Sequence, residues 1–165
     1  MDVGRADDPE HALPCEERSC DVVSVVLVDD RGWVLLQERD EVAPTAPGQW
    51  GLVGGHVEAG ERFEDAVARE LSEETALRAP AGVLRVWYDG DRGHVPKARP
   101  GLCDHWQVWV GRAWFGEDEV VVGEGRQIVF VDPDRLDSLD VAPTSGELLR
   151  GFLASPEYAA LSSPG

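Results

Sequence analysis

Glu70, Glu73 and Glu74 stand at i, i+3 and i+4. With about 100° of rotation per helical residue, they share an arc of roughly 100° on one side of a helix. Three carboxylates so placed repel one another unless a cation sits among them. Phe63, Val67 and Leu71 form an apolar stripe on the same segment, and the two arcs overlap, so the acids belong at the edge of a buried face. Hard divalent cations take oxygen ligands, and Mg²⁺ is usually held by one or two carboxylates, waters and substrate phosphates. The pattern therefore predicts a magnesium-phosphate site. A solvated acidic face is the competing reading of any Glu-rich helix. The glycine turn at Gly54, Gly55 and Gly60, the overlapping stripe, and Arg69 placed after Glu61 count against it here.

The same residues carry a family resemblance. Residues 55–77 resemble the signature of the Nudix hydrolases, G-x5-E-x7-R-E-U-x-E-E-x-G-U, where U is a bulky apolar residue. Gly55, Glu61, Arg69, Glu70, Leu71, Glu73, Glu74 and Leu77 match, and Ala76 stands where the family has glycine. The resemblance implies a MutT-like α/β domain, an α/β/α sandwich with a mixed β-sheet and a central glutamate-rich helix. It implies Mg²⁺ or Mn²⁺ as cofactor, held by Glu70, Glu73, Glu74 and the carbonyl of Gly54. Glu124, beyond the box, is carried over as a further ligand or base; a polar turn residue between Gly123 and Gly125 is its plainer reading. Glu70, Glu73 and Arg69 form the catalytic group, with Glu70 the first choice of base. Gly55 and Glu61 are support, Glu61 pairing with Arg69 to orient the glycine turn against the helix. Where the family often has Pro-Gly-Gly this chain has Val53, Gly54 and Gly55, a mild change if the contact there is a main-chain carbonyl.

The implied reaction is hydrolysis of a diphosphate bond in a nucleoside diphosphate linked to another moiety, such as a nucleoside triphosphate or a nucleotide sugar. Two other classes stay open. One is a regulatory module that binds a nucleotide without turnover. The other is an enzyme like the isopentenyl diphosphate isomerases, for which only Cys103 offers the cysteine that chemistry resembles.

Around the box, residues 21–28 form a β-branched run that reads as a strand covered on both faces, followed by a turn and a second strand from Trp33. Residues 81–90, 105–115 and 127–131 read as further strands. The box helix is expected to run on through Leu77 and Arg78, because Ala76 carries a Cβ that resists the left-handed conformation of the family's glycine. Thr144 and Glu147 have the spacing of a capping box for a last helix over residues 147–154. The basic cluster of Arg92, His94, Lys97 and Arg99 either overhangs the site, where Arg92, Lys97 and Arg99 would bind substrate, or is a solvated loop. Of six tryptophans, most belong in a core. Trp87 and Trp109 are the candidates to stack on a nucleobase.

A length of 165 residues with 42% hydrophobic content fits one domain over residues 19–155, with an acidic disordered arm over 1–18 and a tail over 156–165. Fifteen Lys and Arg against 32 Asp and Glu leave a net charge of -17, which disfavours a nucleic acid polymer as partner and leaves a small phosphorylated molecule. Cys15, Cys20 and Cys103 form no C-x-x-C pair and read as reduced thiols, with neither a disulfide framework nor a zinc site. No run is long and apolar enough for a membrane span, so a cytoplasmic protein is expected, and a homodimer is left open.

Overall fold

The computed structural model describes residues 13–43, 46–92 and 96–164. Strand β1 (Asp21–Val28) and strand β2 (Val34–Glu38) are the antiparallel pair expected from the two apolar runs. The Asp29 carboxylate fixes their turn by accepting the main-chain N–H groups of Arg31 and Trp33. Strands β3 (Trp50–Gly51) and β4 (Val53–His56) follow, then helix α1 (Phe63–Thr75), strands β5 (Arg85–Arg92), β6 (Asp104–Arg112) and β7 (Gln127–Val131), and helices α2 (Pro143–Leu153) and α3 (Pro156–Ser162). They build one seven-stranded mixed sheet in the order β3-β2-β1-β6-β5, with β4 also pairing with β1 and β7 with β2.

β1 lies at its centre, parallel to β6 from Asp21 opposite His105 to Val28 opposite Arg112. After Asp21, every residue of β1 is buried, because helices cover both faces. Val22, Val26 and Val28 pack with Leu148, Leu149 and Phe152 of α2, and Val23, Val25 and Leu27 with Ala66, Val67 and Leu71 of α1. Each valine, leucine or phenylalanine among them contributes about 1.5–3 kcal/mol by leaving water. The result is the expected α/β/α sandwich. Among the described residues no helix is long and apolar enough to cross a membrane.

Helix α1 ends earlier than expected. Ala76 takes the left-handed conformation, with φ of 60° and ψ of 16°, and its N–H closes on the Ser72 carbonyl. The compensation is local. The Thr75 hydroxyl donates to the Leu71 carbonyl and accepts the N–H of Leu77, and the reversal turns Leu77 into the core at 7% exposure. A longer helix would have carried that leucine away.

Helix α2 begins at Pro143, without the expected Thr144–Glu147 box. Ala142 precedes it with no side-chain cap, because a proline at the first position has a preset φ and no N–H to satisfy. Residues 156–162, expected within a tail, form α3. Ser155 caps it through the Tyr158 N–H, and the Tyr158 hydroxyl donates to the Gly32 carbonyl at 2.6 Å.

At the N-terminal end, residues 1–12 of the expected arm lie outside the described residues. Cys15–Glu17 form a short 3₁₀ turn that returns Cys15 to Cys20. The two are joined by a disulfide with Cα atoms 6.1 Å apart, a spacing the bond spans readily. The expectation of reduced thiols holds only for Cys103. The missing signal was the tight turn, which spacing alone does not announce.

Candidate active site

Two glycines begin the site because two groups occupy the space their Cβ atoms would need. A Cβ on Gly54 would come within 2.0 Å of the Val23 carbonyl on β1, and one on Gly55 within 2.5 Å of Glu70 Oε1. The turn is thus clamped between the central strand and α1. The Gly54 N–H donates to Glu74 Oε2 at 3.1 Å.

Arg69 organises the acids beside that turn. Its Nε and Nη2 donate to the two oxygens of Glu61 at 2.8 and 3.0 Å, its Nη1 to Glu70 at 2.9 Å and Glu73 at 3.2 Å, and its Nη2 also to the His56 carbonyl. The bidentate pair is the strong, oriented form of such a contact. It holds the Glu61 carboxyl below its usual range and the Arg69 guanidinium above its own.

Glu70 and Glu74 behave oppositely to Glu61. Burial, only partly offset by Arg69, raises the Glu70 carboxyl. Glu74 is 4% exposed, and burial together with the neighbouring Glu70 charge pushes it up to about 8. Glu124 adds its charge to both, so this residue from beyond the box does stand beside it. Its flanking glycines explain how: a Cβ on Gly123 would meet the Glu73 carbonyl at 2.1 Å, and one on Gly125 the Glu38 carbonyl at 2.7 Å. The Gly123 N–H donates to the Glu74 carbonyl, and the Gln37 amide holds the Glu124 carbonyl.

This donor set fits a hard divalent cation. It is all oxygen, and among the described residues no cationic side chain is bonded to Glu74 in its buried position. No three of Glu70, Glu73, Glu74 and Glu124 hold oxygens all within 4.8 Å of one another, a spread that suits an ion keeping several waters.

A cleft of about 80 Å³ opens at this turn, lined by Ser24, Arg39, Gly54, Gly55, His56 and Trp106 among others. Arg39, Trp106 and Ser145 are shared with an adjoining cavity of about 280 Å³ that Gln49, Pro143 and Thr144 also line. Sequence reasoning missed these residues. Trp106 alternates with Val108 and Val110 and so reads as core, and Arg39 follows an ordinary strand. Trp106 is indeed core, at 5% exposure, and the pairing of β1 with β4 and β6 brings its edge beside the turn, while the pairing of β2 with β3 brings in Arg39.

The other predicted substrate residues lie elsewhere. Arg92 pairs with Glu147 on α2 at 2.6 Å and covers the Tyr88 ring. Lys97 is half-buried, donating to Asp104 at 2.6 Å and to the Cys15 carbonyl at 2.7 Å, and Arg99 is exposed. Of this basic stretch, residues 93–95, with His94, lie outside the described residues. Trp87 packs edge-on against Phe152 with ring centres 5.4 Å apart. Trp109 donates to Gln107 and lines a groove with Val67 and Ala68.

A sandwich that presents a glycine turn, an arginine-ordered glutamate helix and an adjoining cavity defines a hydrolase of phosphoanhydrides. Residues 18–152 match the model of the NUDIX domain. The chain is 32% identical over 127 residues to an RNA pyrophosphohydrolase of Caulobacter vibrioides, covering 73% of each. It is 46% identical over 61 residues to a nucleoside triphosphatase NudI of Salmonella agona, 37% of this chain and 43% of that protein. Among solved structures, a MutT NUDIX hydrolase of Burkholderia pseudomallei superposes with a TM-score of 0.65 at 26% identity, covering 81% of this chain and 98% of that one. The chain belongs to the Nudix family, as a pyrophosphohydrolase.

Proposed function

We propose that the protein hydrolyses a diphosphate bond in a nucleoside diphosphate derivative, with nucleoside triphosphates before nucleotide sugars, in a reaction dependent on Mg²⁺ or Mn²⁺. The observation that carries this reading is the continuity of the cleft at Gly54 and Gly55 with the cavity beyond Trp106. A polyphosphate lying along the glycine turn has room for its nucleoside there. Glu70, Glu73, Glu74, Glu124 and the Gly54 carbonyl would hold the cation, which supplies charge neutralisation for the phosphates when bound. Without it, a chain at -17 would repel its substrate.

The chain's own residues divide the remaining work. Glu70, raised by burial, is suited to accept a proton from the attacking water. Arg69, fixed by Glu61, orients Glu70 and Glu73. Arg39 is the cation lining both cavities and is placed to meet a phosphate, while the Gln49 side-chain carbonyl, its amide nitrogen held by Asp140 at 3.0 Å, can accept from a base edge. Action on RNA is what the Caulobacter relative is known for by name. For this chain the strong negative charge ranks small nucleotides first, and a cytoplasmic location goes with such substrates.

The test is a Mg²⁺-dependent hydrolysis screen over nucleoside triphosphates, nucleotide sugars, ADP-ribose and dinucleoside polyphosphates, with a 5′-triphosphorylated RNA alongside. Turnover of a mononucleotide, lost in Glu70→Gln and raised in KM by Arg39→Ala, is the expected result. Turnover of the RNA alone would overturn the ranking, and no turnover at all would leave a nucleotide-binding module.

A further inference from the structure

We propose that Cys15, Cys20 and His56 form a redox-gated site for a thiophilic divalent cation of the zinc type, a disulfide when oxidised and a two-thiolate, one-imidazole chelate when reduced. The two sulfurs and a ring nitrogen of His56 all lie within 4.8 Å of one another. Among the described residues no other group of three histidine, cysteine or acidic side chains does so. A disulfide alone requires no imidazole at its side, whereas a zinc ion requires nitrogen or sulfur ligands at roughly 2.0–2.3 Å, hence roughly 3.5–3.8 Å from each other.

The fold produces this grouping across a long stretch of sequence. Cys20 is fully buried at the foot of β1, and β4 runs antiparallel to β1 with His56 opposite Val22. Cys15 lies on the 3₁₀ turn before the sheet, outside the strand ladder that holds Cys20 and His56. Lys97 Nζ lies 3.6 Å and Asp104 Oδ1 3.9 Å from Cys15 Sγ, so this sulfur faces a balanced ion pair. The Lys97 charge is balanced by Asp104 at 2.6 Å, so two thiolates would remain to neutralise the incoming ion. Soft sulfur ligands select zinc over magnesium, which separates this site chemically from the glutamates.

The exchange balances. A dithiol reductant supplies two electrons and two protons, the Cys15–Cys20 bond breaks to two thiols, and the reductant leaves as its own disulfide. Binding of the cation then releases one proton from each thiol. The site also reaches the box, since the His56 carbonyl accepts from Arg69 at 2.9 Å and His56 lines the cleft beside Gly55.

The test uses the full chain, reduced anaerobically, freed of reductant and titrated with Co²⁺ in excess Mg²⁺. The expected result is a thiolate-to-cobalt charge-transfer band saturating at one equivalent, absent from the oxidised protein and bleached by Zn²⁺. Cys15→Ser, a change outside the sheet, should abolish it, and His56→Ala should weaken Co²⁺ binding roughly tenfold or more. Cys103→Ser and Glu74→Gln should retain it. The proposal is overturned if the reduced protein gives no band or unfolds, if the band survives Cys15→Ser, if His56→Ala binds as tightly as the parent, or if Cys103→Ser or Glu74→Gln removes it.

Discussion

The carboxylate of Glu74 accepts the main-chain N–H of Gly54 at 3.1 Å, which joins the last turn of α1 to the strand that opens the cleft. One acid therefore both shapes the turn and stands among the proposed ligands, whereas Glu70 touches the turn only through the space over Gly55. The two glutamates should respond differently to substitution.

Glu70→Gln keeps the shape of the side chain over Gly55 and removes the proposed base. Loss of turnover by roughly 10²–10⁴-fold is expected, with a melting temperature close to the parent's. Steady-state kinetics beside a thermal melt checks this, and an active Glu70→Gln enzyme would reassign the base.

The two glycines should separate stability from activity. Gly54→Ala drives a Cβ into the β1 backbone, so a loss of a few kcal/mol is expected, about 1–3 from overpacking and more if the strand must move. Gly55→Ala collides only with the end of the Glu70 side chain and should abolish activity at a smaller cost in urea unfolding. Equal losses of stability would show that Glu70 cannot yield.

Ala76→Gly is expected to stabilise the protein. A left-handed alanine costs about 1–2 kcal/mol, and the extra freedom of glycine in the unfolded chain returns about 0.4–1 of that. A higher urea midpoint with an unchanged slope is the expected readout; a lower midpoint would mean that Ala76 is not strained.

In metal-free protein the Glu74 carboxyl is held up at about 8 against an ordinary 4.5. The folded state thus binds this proton more tightly than the unfolded state. Its stabilising share is present in full below pH 4.5 and is lost as pH rises to 8. Measured in EDTA, the parent should lose stability relative to Glu74→Gln between roughly pH 5 and pH 8. A parallel pair of curves would place the Glu74 proton elsewhere.

Lys97→Met breaks a pair whose members are 9% and 0% exposed, leaving Asp104 charged and buried. About 3 kcal/mol of destabilisation is expected, while KM for the best nucleotide stays as it was. A raised KM in a protein of unchanged stability would return Lys97 to the substrate site.

What the sequence disclosed follows from range. The helix, its stripe and the arginine–glutamate pair are set by neighbours within a few turns, so periodicity and spacing reveal them, and the β-branched run of β1 announces a strand covered twice. Trp106 reads as core and is buried there, while its place beside the cleft, like that of Arg39, comes only through strand pairing. Lys97 and the Cys15–Cys20 bond depend on the approach of the N-terminal turn to β6, which leaves no local mark. Ala76 was misjudged because the cost of its backbone was counted without the burial of Leu77.

The parallel register of β1 with β6, from Asp21 against His105 onward, bears on how the molecule comes into being. β4 and α1 lean on a strand whose other neighbour lies far down the chain, and closing so long a loop is entropically costly and slow. A growing polypeptide that ends before β6 would have the acidic box and the β1–β4 pair beneath it, but one edge of the central strand would still be open. The mount of the acidic helix is thus finished only when the second half of the chain arrives and closes the other side of β1.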